Sequence, residues 1–386
     1  MKVAFYTPLK PPDHPVPSGD RQLARALLQA LQAGGHDAVI ASRYRSFDGR
    51  GDPVRQARLA ETGERLARRL IARFRRADQR PDAWFTYHLH HKAPDWLGPA
   101  VCRALAIPYL VAEASVAASQ HDGAWARGYA ASVAAIRAAD AILFLNPHDV
   151  AGVRAVRGEG AADQPLAPFL DLDAFVAAAA MAPSPLSRPP GRVRLISVAM
   201  MRDGGKLASY RVLGAALARI ASPDWELLVI GDGPARGNVE AAFAGIGGGR
   251  VRFAGAMTGG EVAAQLLASD LFVWPAVDEA FGMVFIEAQA CGQPVVGGNA
   301  GGVAGVVDDG RSGMLVEPGN VAAFAAATAR LMDDAALRAR MGKAAVAYVH
   351  SRHGLASASA RIDSVLRQVV ADRNPDRASG ARALLQ

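Results

Sequence analysis

Short apolar runs recur along the whole chain, and amphipathic stretches with a helical period separate them. Val3–Thr7 is the first such run, followed by a proline-rich loop that ends at Ser18-Gly19. The stretch Asp20–Ala33 places Leu23, Leu27, Leu28 and Leu31 on one face and stops at Gly34-Gly35, which predicts a helix. Further strands are predicted at Ala38–Ala41, Ala83–Tyr87, Ile107–Ala112 and Ala141–Leu145, and Asn146-Pro147 opens a helix. Leu59, Leu66, Leu70 and Phe74 share one face of a predicted amphipathic helix over Val54–Arg76. The second half alternates strands at Arg194–Ala199, Glu226–Ile230, Val251–Phe253, Leu271–Trp274, Pro294–Val296 and Met314–Val316 with helices such as Leu207–Ile220 and Gly260–Ala268. Continuous apolar strands joined through helices pair in parallel, which sets the class as α/β.

A chain of 386 residues exceeds one ordinary core and fits two domains of roughly 170–190 residues. The proline-rich stretch from Ala182 to Pro190 divides them, giving Rossmann-like domains at 1–180 and 191–354. A last helix is predicted over 355–372, and the polar residues 373–386 read as a loose tail. No apolar run reaches the ~18–20 residues of a membrane span. The chain enters a strand directly from Met1, so no signal peptide is expected. Cys102 and Cys291 fall in different predicted domains, so no disulfide framework is expected and a reducing cytoplasm is the default.

The net charge of +7 comes largely from arginine and suits anionic ligands or an anionic membrane face as well as nucleic acid. Twelve arginines face five acids between Arg43 and Arg80. A basic amphipathic helix there reads either as a solvated arginine face or as a surface that lies against anionic lipid. The cluster His88, His90 and His91 lacks a carboxylate or cysteine at familiar ligand spacing, so no metal is expected.

The most informative stretch is Leu271–Gly302. Its first strand stops at Pro275, and Asp278 and Glu279 follow at the carboxyl end, where open α/β sheets place ligands. Phe281-Gly282 turns into a helix over Met283–Cys291, whose free amides favour an anion. Glu287 lies a turn inside that helix. Two glutamates bracketing a phosphate site are better suited to sugar hydroxyls than to phosphate, which points to a nucleotide-sugar. Arg202 and Lys206, on a glycine turn after Arg194–Ala199, can hold a pyrophosphate. The turn Gly231-Asp-Gly233-Pro does not have dinucleotide-loop spacing, which makes an NAD-dependent oxidoreductase the poorer reading.

Glu279-Ala-Phe-Gly-Met-Val-Phe-Ile-Glu287 resembles the E-x7-E signature of retaining GT-B glycosyltransferases, especially glycosyltransferase family 4. Ala290-Cys-Gly-Gln-Pro-Val-Val296 and Gly301-Gly302 fall where that family has a small-residue helix end, a strand and a glycine pair. The resemblance covers most of 190–350 and, more weakly, the N-terminal half. It implies two facing Rossmann-like domains with parallel sheets, the last helix crossing back to the first domain, and a nucleotide-sugar donor held by the second.

By that resemblance, Arg202 and Lys206 neutralise the departing nucleoside diphosphate, helped by the amides of Gly282, Met283 and Val284 beside Phe281. Glu287 takes the ribose hydroxyls with an unshifted carboxylate, and Glu279 takes the donor sugar. Gly231 and Gly233 form a nucleotide-adjacent turn. Gly19 belongs to the family's glycine loop, and Glu113 stands where members often carry a histidine on the catalytic side of the first domain. Retention, no divalent metal and no further cofactor are implied. The acceptor is a glycan, a lipid-linked saccharide or a small molecule, and the expected location is cytoplasmic, peripheral at the inner membrane face. A catalytically silent nucleotide-sugar binder remains the alternative, since Gly305 replaces a frequent glutamate; a GT-B epimerase shares the fold, and a nucleic-acid binder lacks a recognition motif.

Overall fold

The computed structural model describes residues 1–373 apart from 17, 159–161 and 280. The described chain divides into two units, Met1–Leu166 together with the segment from Leu355 onward, and Ala167–Gly354. Each is built on a six-stranded sheet.

In the first unit the strands are β1 Lys2–Tyr6, β2 Asp37–Ser42, β3 Ala83–Leu89, β4 Tyr109–Ala114, β5 Ala141–Phe144 and β6 Ala162–Pro165, ordered β2-β1-β3-β4-β5-β6 and parallel throughout. Central strands are buried on both faces, as their unbroken apolar character requires, with Trp84, Phe85 and Leu110 fully enclosed. Ser18 caps the helix Gly19–Ala33 by accepting from the Arg21 amide at 3.2 Å. Asp52 caps the helix Pro53–Phe74 by accepting from the Val54 and Arg55 amides, and Pro53 opens its first turn. The closing helix, Leu355–Arg373, packs on Gly19–Ala33, and Arg373 reaches Asp140 at 2.9 Å.

In the second unit β7 Val193–Val198, β8 Trp225–Ile230, β9 Val251–Phe253, β10 Leu271–Trp274, β11 Val295–Gly298 and β12 Gly313–Val316 are ordered β12-β11-β10-β7-β8-β9, again parallel. Arg194 in β7 is 2% exposed and bonds Glu226 at 2.6 Å and the carbonyls of Leu186 and Ser187, each at 2.7 Å. That fork ties the proline-rich stretch to this unit.

Several bounds differ from expectation for physical reasons. β11 runs on into glycine because a Cβ at Gly298 would lie 1.9 Å from the Pro275 carbonyl. The helix expected at Leu207–Ile220 is Gly205–Leu217, starting within the glycine turn. β6 has the polar sequence ADQP and sits at a sheet edge, so no apolar run announces it. The helix Leu172–Ala177 packs against Gly259–Leu267, which places 167–180 with the second unit and not the first. All but the first residue of the expected tail lies outside the described residues.

Candidate functional site

In the second sheet, β8 follows β7 on one side while β10 lies on its other side, so the strand order reverses between β7 and β10. Loops leaving the carboxyl ends of such neighbours diverge and open a crevice there. The turn Gly231–Gly233 packs straight onto the loop after β7. Cβ atoms at these two glycines would stand 1.9 Å from the Ala199 carbonyl and 2.3 Å from the Met201 carbonyl, and their φ values are 138° and 154°. Only glycine fits both demands. The Met201 amide donates to the Asp232 carbonyl at 3.0 Å, which fixes the base of the loop that carries Arg202. Arg202 itself is exposed, with no ion pair to any described residue.

Lys206 stands in the first turn of Gly205–Leu217, and its Nζ lies 2.5 Å from Oε2 of Glu279. The Trp274 indole N–H also donates to that oxygen, at 3.3 Å, and the Lys206 ammonium sits 5.4 Å from the Trp274 ring centroid. Two loops are locked together to achieve this. A Cβ at Gly205 would meet Asp278 Cβ at 2.6 Å, and the Val277 amide donates to Ser209 Oγ at 3.0 Å. The Glu279 carbonyl accepts from the Gly302 amide at 3.2 Å, which brings the glycine pair beside it.

Gly282 caps the helix Met283–Ala290 in the left-handed conformation, and a Cβ there would lie 2.8 Å from Val306 Cγ2. The amides of Met283 and Val284 open that helix and have no helical carbonyl before them. Both residues and Phe281 are half-buried, while Ala280 lies outside the described residues. Glu287 projects from the next turn. Burial pushes its carboxyl up to about 7, with no hydrogen bond or cation acting against it. The unshifted carboxylate expected at this position is therefore corrected: the helix around it, from Phe285 to Ala290, is mostly enclosed. The thiol of Cys291, one turn on, is pushed up to about 12 by burial first and by Glu287 second.

The structure thus gathers Lys206, Glu279, Trp274 and the start of Met283–Ala290 in one unit, with Arg202 and the Gly231–Gly233 turn alongside. Gly19 and Glu113 belong to the other unit. Gly19 is the first residue of its helix and has open space where a Cβ would go, so contact does not demand glycine there. Glu113, next to last in β4, is buried, 6% exposed. Burial is the first cause that pushes its carboxyl up to about 7, against the pull of His88. Three features had no mark in the sequence: the 2.9 Å contact of Asp20 Oδ1 with His88 Nδ1, and the left-handed φ values of His88 (64°) and Glu113 (62°). Non-glycine residues in that region have no compositional signature. The histidine rings meet at a tilt, 4.8 Å and 57° between His88 and His90, and among the described residues no three His, Cys, Asp or Glu side chains are placed to hold a metal.

Residues 192–334 match the family model described as glycosyl transferases group 1. The chain is 35% identical over 127 residues to a D-inositol 3-phosphate glycosyltransferase of Corynebacterium glutamicum, a match covering 33% of this chain and 30% of that enzyme. It therefore spans less than a third of that relative's length. Over almost all of its length it is similar to two solved structures. One is sucrose-phosphate synthase of Thermosynechococcus elongatus, with TM-score 0.69, 21% identity and coverage of 96% of this chain and 100% of the other. The second is Anabaena HepE in complex with UDP-glucose, with TM-score 0.64, 16% identity and coverage of 95% and 100%. At such identities the structural likeness speaks for the fold. The chain thus has the GT-B fold, and its residues 192–334 match the group 1 glycosyl transferases.

Proposed function

We propose that the protein transfers a sugar, with retention of anomeric configuration and without a divalent metal, from a nucleoside-diphosphate sugar held by the second unit to an acceptor held by the first. The observation that carries this reading is the Lys206–Glu279–Trp274 cluster at the β7/β10 reversal, followed by the helix Met283–Ala290 that carries Glu287. Arg202 and Lys206 meet the diphosphate, with the Met283 and Val284 amides adding the helix N-terminus. Glu279 holds the donor sugar's hydroxyls and Glu287 those of the ribose. As the bond from the anomeric carbon to the leaving diphosphate breaks, the acceptor oxygen attacks from the same face. Its proton passes to the departing phosphate oxygen, the base nearest to it on that face. UDP-glucose bound to HepE supports a uridine nucleotide as the first donor to try.

Incubation with a panel of UDP-sugars and GDP-sugars, read as nucleoside diphosphate released or sugar transferred, should show turnover for at least one donor. Glu279→Ala is expected to lower kcat by about 100-fold, the range of one lost transition-state interaction, with donor affinity changed less. Tight donor binding without turnover would identify a silent binder, and unaltered kinetics in the variant would remove Glu279 from its role.

The acceptor is proposed to be a lipid-linked saccharide or other envelope glycan precursor met at an anionic membrane. Arg55, Arg58, Arg65, Arg68, Arg69 and Arg73 are all exposed on the helix Pro53–Phe74. No helix of the described residues is long and apolar enough to cross a membrane, so such contact is peripheral. Each arginine near an anionic surface is worth about 1 kcal/mol and is screened by salt. Sedimentation with phosphatidylglycerol vesicles should show binding that fades as salt rises, and changing Arg65, Arg68, Arg69 and Arg73 together to Gln should abolish it without altering donor affinity. No binding at low salt would point to a soluble acceptor.

A further inference from the structure

Two adjacent strands of the first unit carry, one residue before their ends, a left-handed residue that is not glycine. The parallel register pairs Tyr87 with Ala112 and Leu89 with Ala114, so His88 of β3 stands beside Glu113 of β4. Their φ values of 64° and 62° are nearly equal. Each such conformation costs about 1–3 kcal/mol and is retained where the surroundings impose it.

What the two residues hold is chemically specific. Asp20, from the first turn of Gly19–Ala33, places Oδ1 2.9 Å from His88 Nδ1. In a neutral ring that contact keeps the proton on Nδ1 and leaves Nε2 a free acceptor. The hydrogen bond to His88 is also the first cause that lowers the Asp20 carboxyl below its ordinary value. Glu113 is more than nine-tenths buried, and the nearby Leu145 amide acts against the burial that raises its carboxyl. No side-chain donor among the described residues bonds this carboxyl, and neither oxygen is sealed off without a partner, so it stays open to a ligand hydroxyl. Asp149 faces the same spot, its carboxyl raised by burial. Lys10, Tyr87, His148 and the His90 ring also border the spot, and burial holds His90 neutral, with its pKa lowered to about 3.

We propose that Asp20, His88 and Glu113 form the acceptor-recognition site of the first unit, and that this site selects an uncharged vicinal diol on a sugar or cyclitol ring. His88 Nε2 accepts a hydrogen bond from one hydroxyl, and an oxygen of Glu113 accepts from its neighbour. Three carboxyls around one imidazole make the spot unfavourable for a phosphate or carboxylate on the same ring face. The selection excludes charge only at this diol; the ring can carry an anionic group elsewhere. Asp20 acts here as a positioning residue through His88, and the inference rests on the glycosyltransferase reading above.

The full chain, saturated with UDP, can be titrated by saturation-transfer NMR with myo-inositol, methyl α-glucopyranoside and methyl α-mannopyranoside, against D-inositol 3-phosphate and glucose 6-phosphate. At least one neutral ring should bind, and Glu113→Gln and His88→Asn should weaken it at least tenfold while UDP affinity stays unchanged. Asparagine tolerates the left-handed backbone, so His88→Asn keeps the fold. His88→Gly and Glu113→Gly add a second readout. Relief of strain should keep or raise Tm while binding is lost, whereas a purely structural role would lower Tm. Failure of every neutral ring to bind, or binding that the substitutions do not change, would overturn the proposal. Absence of UDP binding by the unaltered chain would instead count against the donor reading, independently of the ring titrations.

Discussion

Glu287→Gln is expected to weaken donor binding and, at the same time, to stabilise the fold above pH 7. The carboxyl has an ordinary value of 4.5 and is pushed up to about 7 in the folded chain by burial. A raised carboxyl binds its proton more tightly folded than unfolded. Below pH 4.5 both states hold the proton and nothing is lost. Between the two values the unfolded chain releases it first, and stability falls by up to about 1.4 kcal/mol per pH unit. Above 7 the whole penalty is present, about 2–3 kcal/mol as an upper bound for a side chain that keeps some exposure. Glutamine has no proton to lose, so the Tm advantage of the variant should grow from pH 5 to pH 8. Donor affinity should move the other way. Hydroxyls donating to a charged acceptor are worth about 1.5–3 kcal/mol, so the loss should be about 10- to 100-fold. Melting curves at the two pH values, with and without UDP, test both halves. A Tm difference independent of pH would mean that Glu287 is solvated, and unchanged UDP affinity would take it out of the donor site.

That pairing of instability with binding was only half legible from the sequence. The acid, its place one turn into a helix and the strand before it are visible because proline, glycine and charge interrupt an apolar run at Pro275, Glu279 and Gly282. β10 at Leu271–Trp274 and β9 at Val251–Phe253 have the very bounds their apolar runs suggest. Desolvation is different, because it depends on what packs around the side chain. The same holds for the contact between Lys206 and Glu279, which lie 73 positions apart and meet only because Gly205 and Ser209 dock the two loops. Edge features fared worst. β6 is short and polar, and the left-handed pair His88 and Glu113 belongs to strands whose apolar runs, Ala83–Tyr87 and Ile107–Ala112, stop just short of them. Strain at a strand end is a property of the assembled sheet, and a residue's identity does not disclose it.

The second large effect concerns Lys206 and its partner, and its two halves have opposite sign. With no ligand bound, Glu279 holds the Lys206 ammonium at 2.5 Å, with both side chains partly shielded from water. A diphosphate arriving at this loop must share that charge with the carboxylate. Lys206→Ala should therefore weaken UDP binding by about 10- to 100-fold, the range of a charge-assisted hydrogen bond, and leave uridine binding nearly unchanged. Glu279→Gln should strengthen UDP binding, because the ammonium is released to the diphosphate, while turnover of the nucleotide-sugar falls. Arg202→Ala should resemble the lysine variant in sparing uridine, with a smaller loss, since its exposed fork meets the phosphate in water. Combining Lys206→Ala with Glu279→Gln should erase the gain of the second, giving a coupling of about 0.5–3 kcal/mol. Calorimetric titration with UDP and with uridine reads all four forms. Equal losses for the two ligands in Lys206→Ala would place the lysine away from the diphosphate, and additive effects in the double variant would mean that the ion pair closes without reference to the ligand.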